Sequence, residues 1–172
     1  MTILSNVDIK ECIKYGNIKI TPYDLKNIQG ATVDLRLGGE FLISKHYSRN
    51  QKDYITLDSE IEYHERNKKF VYILPGDFIL GTTLENISLS PGLCARVDGK
   101  SGVGRKGLFI QNAGHIGPGF KGEITLEIYN ANRVPMKLEK GRKICQIEFH
   151  ELKTPSTRPY EGKYQGQKGP KI

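Results

Sequence analysis

Along most of the chain, apolar side chains come in short runs that alternate with polar ones, and the runs end at Gly, Pro, Asn or Asp. A period of two puts one set of side chains on each face of a strand, so the pattern predicts many short strands. Residues 123–129 are the clearest case: Ile124, Leu126 and Ile128 fall on one face, and Glu123, Thr125, Glu127 and Tyr129 on the other. In GATVDLRLG, residues 30–38, Val33, Leu35 and Leu37 alternate with Asp34 and Arg36, and the two opposite charges predict an intrastrand or interface ion pair. Further strands are expected at 41–43, 70–74, 78–80, 83–89, 93–97, 134–138 and 143–149, with turns at Pro75-Gly76, Pro91-Gly92, Asp98-Gly99 and Lys140-Gly141. Ser5 and Asp8, followed by Ile9, Cys12 and Ile13 at helical spacing and by Gly16, predict one short N-terminal helix.

Between 44 and 69 the chain turns polar and reads as a surface excursion, with His46 and His64 as ordinary surface histidines. From Lys153 onward it is rich in Pro, Gly and Lys, with almost no aliphatic content, and would stay disordered by itself. The expectation is one all-β domain over 1–152, a meander or jelly roll, with a C-terminal tail over 153–172.

Composition narrows the picture. At 172 residues there is room for one sizeable core. Cys12, Cys94 and Cys145 are odd in number and form no CxxC, so neither a disulfide framework nor a thiolate zinc site is suggested, and reduced, cytoplasmic thiols are expected. No apolar run approaches the roughly 20 residues that span a bilayer, so no membrane association is expected. The net charge of +7 attracts polyanions, but the basic residues are scattered, which makes a nucleic-acid stripe a poor reading.

The chemistry concentrates between 99 and 130, where a hydroxyl (Ser101), a guanidinium (Arg105) and a strand carboxylate (Glu127) share a segment with glycines at 99, 102, 104, 107, 114, 117, 119 and 122. So many glycines suit a backbone that turns sharply or lets another group come close, and suit a helix badly. Gly102 to Gly107 satisfies GxGxxG, but more glycines and Pro118 follow where a helix should. Gly99-Lys100-Ser101 mimics the end of a P-loop, yet Cys94 stands where its first glycine belongs. The HxE and CxxC clusters of zinc nucleobase deaminases do not occur. Hydrolytic chemistry would then use a side-chain base, for which Glu127 is the best candidate, with Ser101 and Arg105 to hold the water and tune the carboxylate. A plainly solvated Glu127 fits the same pattern.

Taken together, GATVDLRLG (30–38), LPGDFILGTTLE (74–85), GKSGVGRKGLFIQNAG (99–114), GPGFKGEITLEIYNANRVP (117–135), GRKICQIEF (141–149) and the RPY and GKY pieces of the tail resemble the dCTP deaminase family, in the superfamily of the trimeric dUTPases. The FIQNAG segment and the tail look most like its bifunctional branch, which deaminates dCTP and also cleaves the triphosphate to dUMP. The resemblance implies a distorted β-barrel of the dUTPase type, a homotrimer with active sites between subunits, and dCTP as substrate. Glu127 falls at the family's general base, with Ser101 and Arg105 beside it. Lys100, Gly102, Gln111, Asn112, Ala113 and Gly117 fall at substrate contacts, and Tyr160, Lys163 and Gln167 on the segment that folds over the triphosphate. Magnesium would accompany the phosphates, with no zinc.

Two departures shape the expectation. The family's usual Asp before Pro-Gly is Gly117 here, within Ile116-Gly117-Pro118-Gly119, and the preceding aromatic position is His115. The missing carboxylate leads to the expectation that dCTP is deaminated to dUTP while dUTP is cleaved poorly. The alternatives are a bifunctional enzyme that proceeds to dUMP, and a catalytically silent nucleotide-binding regulator.

Overall fold

The computed structural model describes residues 2–44, 56–111 and 114–172, with the backbone alone of Gln111. The expectations for His46, Asn112, Ala113 and the Gln111 side chain fall outside the described residues. After β1 (Thr2–Ile3), helix α1 (Asn6–Lys14) begins at Ser5, whose hydroxyl accepts from Asp8 N–H while the Asp8 carboxylate accepts from Ser5 N–H at 2.9 Å. Its buried Ile9 joins the core. The remaining elements are β2 (Ile18–Thr21), β3 (Val33–Arg36), β4 (Glu40–Ser44), β5 (Tyr63–Asn67), β6 (Phe70–Ile73), β7 (Phe78–Leu89), β8 (Leu93–Gly99), α2 (Ser101–Gly104), β9 (Leu108–Gln111), β10 (His115–Ile116), β11 (Lys121–Asn130), β12 (Met136–Glu139) and β13 (Lys143–Glu151).

The expected all-β class with one N-terminal helix is what forms, apart from the single turn of α2 and a 3-10 turn at Leu25–Asn27. One sheet runs β1-β13-β8-β10, with β3 also on β13; a second runs β5-β4-β7-β11-β9, with β2 on β7; β6 and β12 make a third pair. Leu35, Ile147 and Phe149 from the first, Ile79, Leu126 and Ile128 from the second, and Ile73 and Leu138 from the third meet in one buried cluster. Cys145 lies in it as a free thiol, which burial pushes well above the usual thiol range.

Several local expectations are corrected. The strands expected at 78–80 and 83–89 are one strand, β7, running through Gly81. A Cβ on Gly81 would stand 3.1 Å from Ile128 Cδ1, so the glycine there serves close packing and not a turn. The polar stretch before Lys69 contains β5, an exposed edge strand paired with β4. The strand expected at 134–138 is β12, displaced toward the Lys140-Gly141 turn. Glycine-rich 101–104 forms one helical turn, for which the open space around Gly102 and Gly104 leaves room.

Asp34 and Arg36 do not pair with each other. Arg36 Nε donates to Glu85 Oε1 at 2.6 Å and its N–H to Glu85 Oε2 at 2.8 Å, satisfying a carboxylate that is only 1% exposed. Asp34 instead accepts from Lys100 Nζ and, at 3.2 Å, from Lys143 Nζ. Side chains two apart on a strand lie about 7 Å from each other, while those on neighbouring strands come closer, so cross-strand partners win.

Fully buried Asn130 ends β11 and closes the loop beyond it: Nδ2 donates to Ile73 O at 2.9 Å and Val134 O at 3.0 Å, and Oδ1 accepts from Asn132 N–H at 2.9 Å. Asn130→Ala removes these bonds and leaves buried backbone groups unpaired, so a loss of about 3 kcal/mol is expected in urea unfolding at fixed protein concentration. A loss below about 1 kcal/mol would show that water replaces the side chain.

Candidate active site

The alternation read in residues 123–129 is the structure's own. Ile124, Leu126 and Ile128 of β11 are buried, and Glu123, Thr125, Glu127 and Tyr129 point out of the core. Glu127 is half-buried and stands opposite Leu80 of β7 on one side and the backbone of Gln111 on the other. One step along the same face, Tyr129 lies opposite Phe78 and Phe109, which makes an exposed aromatic row across three strands. Glu127 lines a cavity of about 570 Å³ whose near wall includes Phe78, Leu80 and Thr125.

The far wall is the chain's own tail. Gln167, 2% exposed, donates from its carboxamide to Glu123 O at 3.0 Å and Thr125 Oγ1 at 2.7 Å, and Gly169 N–H donates to the Glu123 carboxylate at 2.8 Å. Two of the central glycines make this approach possible. A Cβ on Gly119, at φ +80°, would stand 2.6 Å from Pro159 Cβ, and one on Gly122 would stand 3.0 Å from Gln167 N. The Tyr160 ring packs on Phe120 with centroids 5.7 Å apart and faces Gly117, where a Cβ would meet it at an ordinary 3.7 Å. The tail therefore docks through hydrogen bonds and one aromatic contact, which is why composition alone reads it as disordered.

The other expected site residues separate into two groups. Gly117, Tyr160 and Gln167 line the cavity with Glu127. Lys163 does not; its ammonium sits 5.4 Å from the centre of the Tyr164 ring. Ser101, Gly102 and Arg105 belong to α2 and its end, which run from Gly99, packed beside Ile110 of β9, to Leu108, opposite Asn130 of β11; none of the three lines the cavity. Just before Leu108, Asn132 Nδ2 donates to Lys106 O at 3.0 Å and Ala131 N–H to Gly107 O at 2.8 Å. Among the described residues, the side chains of Ser101, Arg105 and Glu127 have no hydrogen-bond or ion-pair partner. Lys100, expected at the substrate, has its ammonium on Asp34. The sequence reading missed Thr125 and Tyr164 as cavity residues. The period-two face of Glu127 already carried the signal for the first.

Residues 3–152 match the family model described as dCTP deaminase-like. The chain belongs to the dCTP deaminase-like family. It is 46% identical over 182 aligned positions to the dUMP-forming dCTP deaminase of Dictyoglomus thermophilum, covering 98% of this chain and 92% of that one. It is 43% identical to the dUMP-forming dCTP deaminase of Aquifex aeolicus, covering 97% and 91%, and 42% identical to the dCTP deaminase of Natronomonas pharaonis, covering 98% and 92%. The crystal structure of 2'-deoxycytidine 5'-triphosphate deaminase from Agrobacterium tumefaciens shares its fold, with a TM-score of 0.67 at 22% identity over 87% of this chain; the chain spans 48% of that longer one.

In this dCTP deaminase-like chain the Gln167 carboxamide is the most deeply buried polar anchor of the tail. Gln167→Ala removes two hydrogen bonds, a loss of about 1.4 kcal/mol, so tryptic cleavage after Lys163 and Lys168 is expected to quicken roughly tenfold while the barrel stays resistant. Unchanged cleavage would mean that the tail is held elsewhere.

Proposed function

We propose that the protein hydrolyses dCTP in two steps, first to dUTP and ammonia and then to dUMP and pyrophosphate, as a homotrimer whose active sites lie between subunits. The observation that carries the reading is Glu127: an unpartnered, half-buried carboxylate fixed on a regular strand at the wall of a cavity of nucleotide size. Glu127 takes a proton from water and the hydroxide adds to C4 of cytosine as the C4–N3 double bond opens; the Glu127 proton passes to the amino group, which leaves as ammonia, and the hydroxyl proton ends on N3 as the C4 carbonyl forms. A second water attacks the α-phosphorus and releases pyrophosphate. The expectation that the reaction stops at dUTP rested on Gly117; the dUMP-forming relatives named above favour the two-step outcome.

What a single chain leaves apart supports the trimer. Ser101 and Arg105 are exposed, without a side-chain partner among the described residues and outside the cavity that Glu127 lines, so in this reading they serve the Glu127 of a neighbouring copy. The exposed row Phe78-Tyr129-Phe109 beside Glu127 offers the apolar surface for that contact. Lys163, exposed on the tail between Gly162 and Tyr164, turns to the phosphates in this reading. Magnesium enters with the triphosphate as part of the substrate. Among the described residues no group of three or more His, Cys, Asp or Glu side chains could hold an ion, so its ligands would be phosphate oxygens and water.

Glu127→Gln keeps the shape but cannot accept the proton, so ammonia release from dCTP is expected to fall by roughly 10²- to 10⁴-fold with nucleotide binding retained in calorimetry. More than about a tenth of the wild-type rate would remove Glu127 from the base role. Chromatography of the wild-type products settles the second step: dUMP supports it, and accumulation of dUTP refutes it.

A further inference from the structure

Asp34 is 4% exposed, yet it is the meeting point of four segments. It accepts from Lys100 at the start of α2, from Lys143 of β13 at 3.2 Å, and from Gln29 Nε2 at 3.4 Å. Its place is fixed by β3, where it lies opposite Gln146 of β13, itself opposite Asp98 of β8. Lys100 is the residue immediately before Ser101 and the N-cap position of α2, and its side chain makes no capping bond to the helix.

The helix has little rigidity of its own. It is four residues long, two of them glycines with nothing within 4 Å of a Cβ. It is held instead by its surroundings: Val103 packs on the core, the Asn132 carboxamide holds Lys106 at the far end, and Asp34 holds Lys100 at the near end. A buried carboxylate shared between two ammonium groups also fixes the lysines against each other's repulsion.

We propose that Asp34 and Lys100 are positioning residues, which orient the α2 turn so that Ser101 and Arg105 are presented at a fixed angle. This rests on the role given above to Ser101 and Arg105, and its test has one arm that does not need activity.

Asp34→Asn, Lys100→Met and Lys100→Arg are compared with wild type in steady-state ammonia release from dCTP and in amide hydrogen exchange. Asp34→Asn and Lys100→Met are expected to lower kcat roughly ten- to hundredfold with KM within about threefold, because misplacement by an ångström is costly to chemistry and not to binding. Exchange in residues 101–107 should quicken roughly tenfold in both, with the strands unchanged. Lys100→Arg, which can still reach Asp34, should restore most of kcat. If Asp34→Asn does not fold, Lys100→Met decides alone, since there Asp34 keeps Lys143. Unchanged exchange and kcat would overturn the proposal, and so would a large rise in KM with kcat intact, the signature of a phosphate ligand. A wild type that releases no ammonia would sink the proposed function, while the exchange comparison would still decide whether Asp34 holds α2.

Discussion

The phase of β11 is the constraint on which the rest of the structure depends. Ile124, Leu126 and Ile128 can bury only if Glu123, Thr125, Glu127 and Tyr129 face outward, since a one-residue slip would drive two glutamates into the core. The strand is gripped on both sides, by β7 and β9, and its one irregularity, between Glu123 and Thr125, is absorbed by Thr83, whose hydroxyl accepts from Ile124 N–H at 2.9 Å. Hydrophobic burial thus aims a carboxylate. The same outward face gives the tail its dock at Glu123 and Thr125, so the wall of the cavity and the group inside it are set by one register.

Around this strand the barrel spends buried charge on geometry. Glu85 bonded to Arg36, and Asp34 bonded to two lysines, contribute little net stability, because desolvation offsets most of the attraction. Their effect is to fix where chain segments lie. Asn130 does the same with neutral hydrogen bonds, joining the end of β11 to the loop that supports the far side of α2. A weak, glycine-rich turn is thereby framed from both ends by groups that belong to the sheets.

Elements whose burial follows from apolar alternation were legible in the sequence: β11, β3, β13 and the capped helix α1 stand close to where the pattern put them. What was not legible has no apolar signature. β5 is an exposed edge strand of polar residues, and its pairing with β4 is a matter of backbone hydrogen bonds. The tail docks through Gln167 and Gly169, and the glycines that admit it, Gly119 and Gly122, lie over 40 residues earlier in the chain. Gly81 looked like a break because a glycine forced by packing and one forced by a turn are the same letter. Glu127 was picked out by its strand phase, and the structure puts it on the cavity wall; its likeness to a family base is what favours a working carboxylate over a solvated one. That Ser101 and Arg105 do not line its cavity is a property of three dimensions that spacing along the chain does not encode.

The most direct test of a site shared between copies of the proposed trimer is complementation between subunits. Glu127→Gln and Arg105→Ala subunits, each inactive alone, are unfolded together, refolded at equal ratio and assayed for ammonia release from dCTP. A site built from Glu127 of one subunit and Arg105 of its neighbour regains both groups in about a quarter of the random pairings, so about a quarter of the wild-type rate should return. If both groups act within one chain, every site in the mixture lacks one of them. A mixture no more active than its parents would then contradict the account.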